Sequence, residues 1–277
     1  MRRASVWGLT LLLSAVVCLV VALVWAPARW LAWGVSQASQ GRVQLSHTQG
    51  TVWQGQGLLS LGGGAGTQGQ LSLPSPLTWS LKTVGPWHEP GLQLQLGSAC
   101  CTTAPITATV RRSQGQWQLS IPGFDSRWPL AWLQGLGTPW NSMALQGPLQ
   151  LSSPGVVLRS GASATWQGQI SALVPSLSTA LSPLPSVGSY QFTLGQAAAM
   201  PLSQGLALQA QSPSGTLQIS GAGRWWPHGA LTFEGQAQAV GPQAAQVSTL
   251  LNLLGQRRET GVALQWRLGQ VPNPSSQ

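Results

Sequence analysis

Beyond residue 40 apolar and polar positions exchange with a period of two. The alternation runs through RVQLSH, GLLSLGG, GQLSLP, LTWSLK, GLQLQLG, ITATVRR, QWQLSIPG and LQGPLQLSS. It resumes after SYQFTLGQ in GLALQAQS, GTLQISGAG, ALTFEGQAQAV and VALQWRLG. Period two bounded by Gly, Pro and Ser predicts strands with one buried and one wet face. Two stretches break the pattern. Residues 126–137, SRWPLAWLQGLG, set Trp128, Trp132, Leu133 and Leu136 on one helical face, with Asp125 or Ser126 as cap and Gly137 as stop. Residues 242–255, PQAAQVSTLLNLLG, put Val247, Leu250, Leu251 and Leu254 on one stripe between a Pro and a Gly. Each predicts a short helix packed on a sheet. A Pro- and Ser-rich crossing near residues 171–188 divides the strands into two halves of similar grammar, and it is too apolar to be a free linker.

The first residues follow a different rule. Arg2 and Arg3 precede VWGLTLLLSAVVCLVVALVW, an uncharged run of the roughly 20 residues that cross a bilayer as a helix. The arginines mark a cytoplasmic end, and Trp25, Trp30 and Trp33 stand where an outer aromatic belt is expected. The organisation predicted is a cytoplasmic terminus at 1–5, a transmembrane anchor at 6–26 and a periplasmic β-rich domain at 27–277. The competing reading is a signal peptide cleaved near APA, residues 26–28, but the apolar run exceeds the 7–15 residues usual for one. Cys18 lies in mid-span and reads as lipid-facing packing rather than a lipidation site.

Composition sharpens this. Gly (34) and Pro (20) in a chain of 277 residues disfavour long helices, and fifteen Trp against four Phe and Tyr make Trp the main source of aromatic burial. Only 6% of residues are charged, so solvation rests on Gln and Ser. The net charge of +9 reflects four acids rather than many bases, and the thirteen bases are scattered along the chain. Nucleic-acid binding, which needs bases on one face, is therefore not expected.

Candidate chemistry is sparse. TVWQGQ at 51–56 returns as ATWQGQ at 164–169; in both, Trp falls on the apolar positions and the following Gly reads as a bulge or close approach. Trp53 and Trp166 are thus expected to be structural, with Gly55 and Gly168 letting the strand bend. The titratable side chains are Glu89, Asp125, Glu234 and Glu259 with His47, His88 and His228, and only WHEP at 87–90 puts an acid beside a base. That dipeptide reads as a solvated turn, GGGAG at 62–66 as a flexible one without a P-loop Lys, and no metal or cofactor is expected. Cys100 and Cys101 are adjacent; a vicinal disulfide, an interchain pair and buried thiols are all open. Two non-enzymatic classes remain: a scaffold subunit with strand edges open to a partner, or a Trp-lined groove for lipid or glycan.

Several stretches carry a family resemblance. The amino-terminal span is followed in order by GTVWQGQGLLSL (50–61), PLTWSL with Trp79, LSPLPSVGSY (181–190), GTLQISGAGRWWPHGALTFEGQAQA (215–239) with Gly221, Gly223 and Trp225, and LLNLLGQRRE (250–259). The set resembles the type II secretion system protein N family. The resemblance implies a twisted, mostly antiparallel, AsmA-like β-rich periplasmic domain with one or two short helices on a single inner-membrane span. It implies a non-catalytic role in protein secretion, and contacts with the inner-membrane platform or the outer-membrane secretin. The AsmA-like sheet keeps lipid open as a ligand. Cys100 and Cys101 match no motif of the family.

Overall fold

The computed structural model describes residues 13–14, 17–18, 21–22, 24–63, 69–86, 88–113, 115–138, 140–161, 163–254, 256–258 and 261–269. Most of the expected span lies outside the described residues, as do Arg2, Arg3, the last three residues of the GGGAG turn, Trp87 and Glu259. Among the described residues no helix is long and apolar enough to cross a membrane.

Helix α1 (Ala28–Ala38) follows Pro27 and packs along strand β1 (Val43–Gly50). The chain continues through β2 (Gln54–Leu61), β3 (Leu71–Ser72), β4 (Leu77–Val84), β5 (Gly91–Ser98), β6 (Ile106–Ser113) and β7 (Gln116–Pro129). A 3-10 segment (Leu130–Leu136) and the one-turn α2 (Trp140–Met143) lead into β8 (Pro148–Arg159), β9 (Thr165–Leu177), β10 (Gly188–Pro201) and β11 (Leu206–Gly215). Then come β12 (Leu217–Trp225), β13 (Leu231–Ala239), α3 (Ser248–Leu254), β14 (Gln256–Arg258) and β15 (Gly261–Leu268). These fifteen strands form one antiparallel sheet in chain order, except that β3 pairs with β2 beside β4, and β15 lies between β13 and β14. The sheet runs without a break through the 171–188 crossing, where β9 pairs directly with β10.

The alternation in the sequence becomes two faces of this sheet. One cross-strand row reads Leu92, Val110, Leu119, Leu158, Trp166 and Met200 across six strands. Another reads Ala172, Phe192, Ala210, Gly221, Gly235 and Leu264. The opposite face carries Gln and Ser, and its amides pair across strands: Gln211 Nε2 donates to Gln191 Oε1 at 2.9 Å and Gln238 Nε2 to Gln218 Oε1 at 3.1 Å. Neutral amide ladders thus solvate a face that other proteins would cover with charge.

A meander places alternate connections on opposite rims. Tight turns between β1 and β2, β4 and β5, β6 and β7, β8 and β9, β10 and β11, and β12 and β13 form one rim, here the hairpin rim. The longer connections after β5, β7, β9 and β13 form the other, the cap rim, and those after β7, β9 and β13 fold onto the apolar face. Leu130 packs with Val174 and Tyr190, while Leu184, Val187, Leu217 and Val247 form a second cluster against which Leu250 and Leu251 pack. The cover is partial. Leu92 and Phe192, both on the apolar face, stay 39% and 40% exposed.

The predicted helix at 242–255 is a 3-10 turn (Ala244–Val247) running into α3, with Val247 fully buried. The one at 126–137 is not a helix from Ser126. Residues 126–129 complete β7, where Trp128 pairs with Leu149, and the helical turn starts only at Leu130. Pro129 is the cause, because its ring drives the preceding Trp128 into the extended region. The indoles of Trp128 and Trp132 still stack, at 6.1 Å between centroids.

Tyr190 locks β10 to the core; it is 3% exposed and its Oη donates to the Leu217 carbonyl at 2.9 Å. Burial raises its pKa above the usual tyrosine value. A raised folded-state value means that its stabilisation is whole below about pH 10 and is lost as pH climbs beyond that. Thermal unfolding of the wild type should therefore drop in midpoint above about pH 10, and Tyr190→Phe should flatten that drop.

Candidate functional site

The first copy of the repeated motif sits where the chain enters the sheet. Ala26 and Ala28 are buried, the Val52 N–H donates to the Ala26 carbonyl at 2.9 Å, and Pro27 forms a β-bridge with Thr51. Thr51 and Val52 are the turn between β1 and β2. Their carbonyls both accept from Trp79 Nε1, at 3.1 and 3.2 Å, while the Trp53 carbonyl accepts from the Leu81 N–H at 2.6 Å. Trp79 is 4% exposed, and a side chain on Gly55 would lie 2.6 Å from its ring. Trp53 itself is half-buried in a bend rather than in a strand. The buried Trp of this motif is the neighbour from β4, and Gly55 supplies its seat.

The second copy does something else. Gly168 lies in β9 at φ +113°, where the β8–β9 and β9–β10 registers both shift nearby. The Gly168 carbonyl accepts from Trp166 Nε1 at 2.8 Å, and the Gln169 carbonyl accepts from Ser153 Oγ at 2.7 Å. Here WQGQ kinks the middle of the sheet, and Trp166, half-buried, braces the kink. In the carboxy-terminal motif Gly221 and Gly223 stand under Phe233, whose ring and backbone would meet any side chain placed there. Trp225 is half-buried, and the next residue, Trp226, is the buried one, with its Nε1 donating to the Ser203 carbonyl at 3.1 Å.

Cys100 and Cys101 are joined as a vicinal disulfide in the turn after β5. The Cys101 carbonyl accepts from the Arg127 N–H at 2.7 Å and Thr102 bridges Ser126, so this turn pairs with the part of β7 that extends past β6. The titratable residues do not gather. His88 and Glu89 sit on an exposed turn, His228 lies edge-on to Trp226 at 6.5 Å, and among the described residues no three of His, Cys, Asp or Glu come together as a metal site.

The sequence profile of the type II secretion system (T2SS), protein N family matches residues 41–265. The chain belongs to this family. As a T2SS protein N it is a component of the type II secretion system. No curated protein and no solved structure matches it. The T2SS protein N match takes in both WQGQ copies, Trp79, Gly221, Gly223, Trp225 and the disulfide, and begins after α1. Ala26 and Pro27 lie outside it, so the bonds from these two residues to Val52 and Thr51 join the amino-terminal segment to the family's sheet.

Proposed function

We propose that this T2SS protein N is a non-catalytic, single-span subunit. Residues 6–26 anchor it in the inner membrane with the amino terminus cytoplasmic, and residues 27–277 form one periplasmic β unit that supports assembly of the secretion apparatus or export through it. The observation that carries the reading is the attachment at Ala26 and Pro27, which ties the end of the apolar segment to the sheet. Leu13, Val17, Val21 and Val24 are helical and each more than half exposed, as a lipid-facing helix surface would be. The large amide-covered face and the terminal strand β14 offer a partner subunit of the platform or secretin hydrogen-bonding groups without charge.

A lipid or glycan groove is the second reading, favoured by the partly uncovered apolar face around Leu92 and Phe192. Photoreactive residues placed in cells separate the two. The amide face is sampled at Ser80, Gln169 and Gln218, and the apolar face, away from the strand ends beside β1–β2 and β8–β9, at Leu94, Ile121 and Phe192. Adducts from the amide face to other secretion subunits are expected. Lipid or glycan adducts from the apolar face, with no protein adducts from the amide face, would replace the scaffold reading by the groove.

A further inference from the structure

Bases that are scattered in the sequence are gathered by the fold. Lys82, Arg111, Arg112, Arg159, Arg224 and Arg267 are spread over most of the chain, yet each lies in the last few residues of a strand ending at the hairpin rim. The register fixes this placement: Arg111, Gln118 and Arg159 form one cross-strand row, and Arg224, Thr232 and Arg267 another. All six are exposed. Arg29, also exposed, opens α1 beside the Pro27–Thr51 bridge on the same rim. The acid among them is Glu89 in the β4–β5 turn, while Glu234 lies further in, opposite Ala222 and Gln265.

Four of the exposed indoles share that rim. Trp25 is 74% exposed, Trp30 53%, Trp117 52% and Trp266 42%. The Arg112 guanidinium stands 5.9 Å from the centre of the Trp117 ring, a cation over an aromatic face. Indoles interleaved with arginines suit the boundary between headgroups and acyl chains, where the ring is half in each phase and the cation meets phosphate. The chain also leaves the sheet for its apolar amino-terminal segment from this rim, at Ala26.

We propose that the hairpin rim rests on the surface of the bilayer, with Trp117 and Trp266 in the interface and Arg111, Arg112 and Arg159 against anionic phospholipid headgroups. The inference rests on the reading of residues 6–26 as the anchor, which holds this rim and not the cap rim at the membrane. It also fixes the sheet's posture: strands stand up from the bilayer, and the open apolar face meets the membrane along the row that starts at Leu92.

The test uses the full chain reconstituted in vesicles rich in phosphatidylglycerol or made of phosphatidylcholine. p-Benzoylphenylalanine replaces Val17 in the span, Trp117 on the hairpin rim or Trp140 on the cap rim, and lipid adducts are read by mass spectrometry. Adducts are expected at Val17 and Trp117 and not at Trp140. The yield at Trp117 should fall roughly tenfold in phosphatidylcholine, and by a similar factor when Arg111→Gln, Arg112→Gln and Arg159→Gln are combined. Protease resistance checks that the combined variant is folded, and Lys82→Gln with Arg224→Gln gives a second set on other strands. Adducts at Val17 with Trp117 no higher than Trp140 overturn the rim and leave the anchor. Adducts at Trp117 without Val17 sink the anchor and keep the rim. A Trp117 yield indifferent to headgroup charge and to both variant sets, or adducts at Trp117 to a second copy of the protein, overturn the inference.

Discussion

Trp79→Ala is expected to lower the stability of the sheet by about 3–5 kcal/mol, the range for emptying a buried indole site. The ring is almost fully enclosed, and its N–H is shared between the carbonyls of Thr51 and Val52, which lose that donor when the ring goes. Those residues also hold Ala26 and Pro27, so the loss reaches the attachment of the amino-terminal segment. Trp79→Phe keeps most of the apolar burial and removes the donor, at about 1–2 kcal/mol. Trp53→Ala, at a half-buried bend, costs about 1–2 kcal/mol through lost area. Urea unfolding of the full chain in detergent ranks the three. Hydrogen exchange adds a local readout: Trp79→Phe should speed exchange at Val52 while amides in β11 to β13 hold their protection. A Trp79→Ala protein within about 1 kcal/mol of wild type would remove the ring from the account of this junction.

Gly168→Ala should cost roughly 3–5 kcal/mol, from backbone strain and overpacking together. The added Cβ would sit 2.1 Å from the Gly155 carbonyl oxygen and 2.9 Å from Val156 Cα, and both are backbone atoms of the adjoining strand that cannot rotate away. The φ of +113° is closed to alanine as well. Two controls separate the terms. Gly115 has φ +78° with nothing within 4 Å of the Cβ position, so Gly115→Ala reports the conformational cost alone, about 1 kcal/mol. Gly155, across the same kink, has its nearest contact at 3.5 Å and should tolerate alanine better than Gly168 does. Equal unfolding midpoints for Gly168→Ala and Gly115→Ala would show that the β8 backbone gives way and that the kink is soft.

The alternation of apolar residues with Gln and Ser was enough to read strands, one apolar face and a mainly antiparallel β architecture, because side chains on a strand alternate by geometry. Val247, Leu250 and Leu251 were legible as a packing stripe for a similar reason, the period of a helix. Three features were not legible. The 126–129 stretch read as helix because Trp128 and Trp132 share a helical spacing, and the local effect of Pro129 on Trp128 prevailed. The two WQGQ copies looked equivalent, yet their roles differ with what lies across the strand: Trp79 over Gly55 in one, the Gly155 backbone against Gly168 in the other. Seven bases of thirteen looked dispersed and stand along one rim.

By itself, then, the sequence determined that the chain alternates, that it is solvated by amides and hydroxyls rather than by charge, and that it carries the ordered motifs of T2SS protein N. Each of these is fixed by residues close together in the chain. Which Trp is buried, which glycine cannot be replaced, and which rim gathers the arginines were decided only by the tertiary structure. Those properties depend on register between strands, as between Gly55 and Trp79, Val156 and Gly168, or Gln118 and Arg159, and register follows from the fit of whole faces and turns rather than from any local pattern.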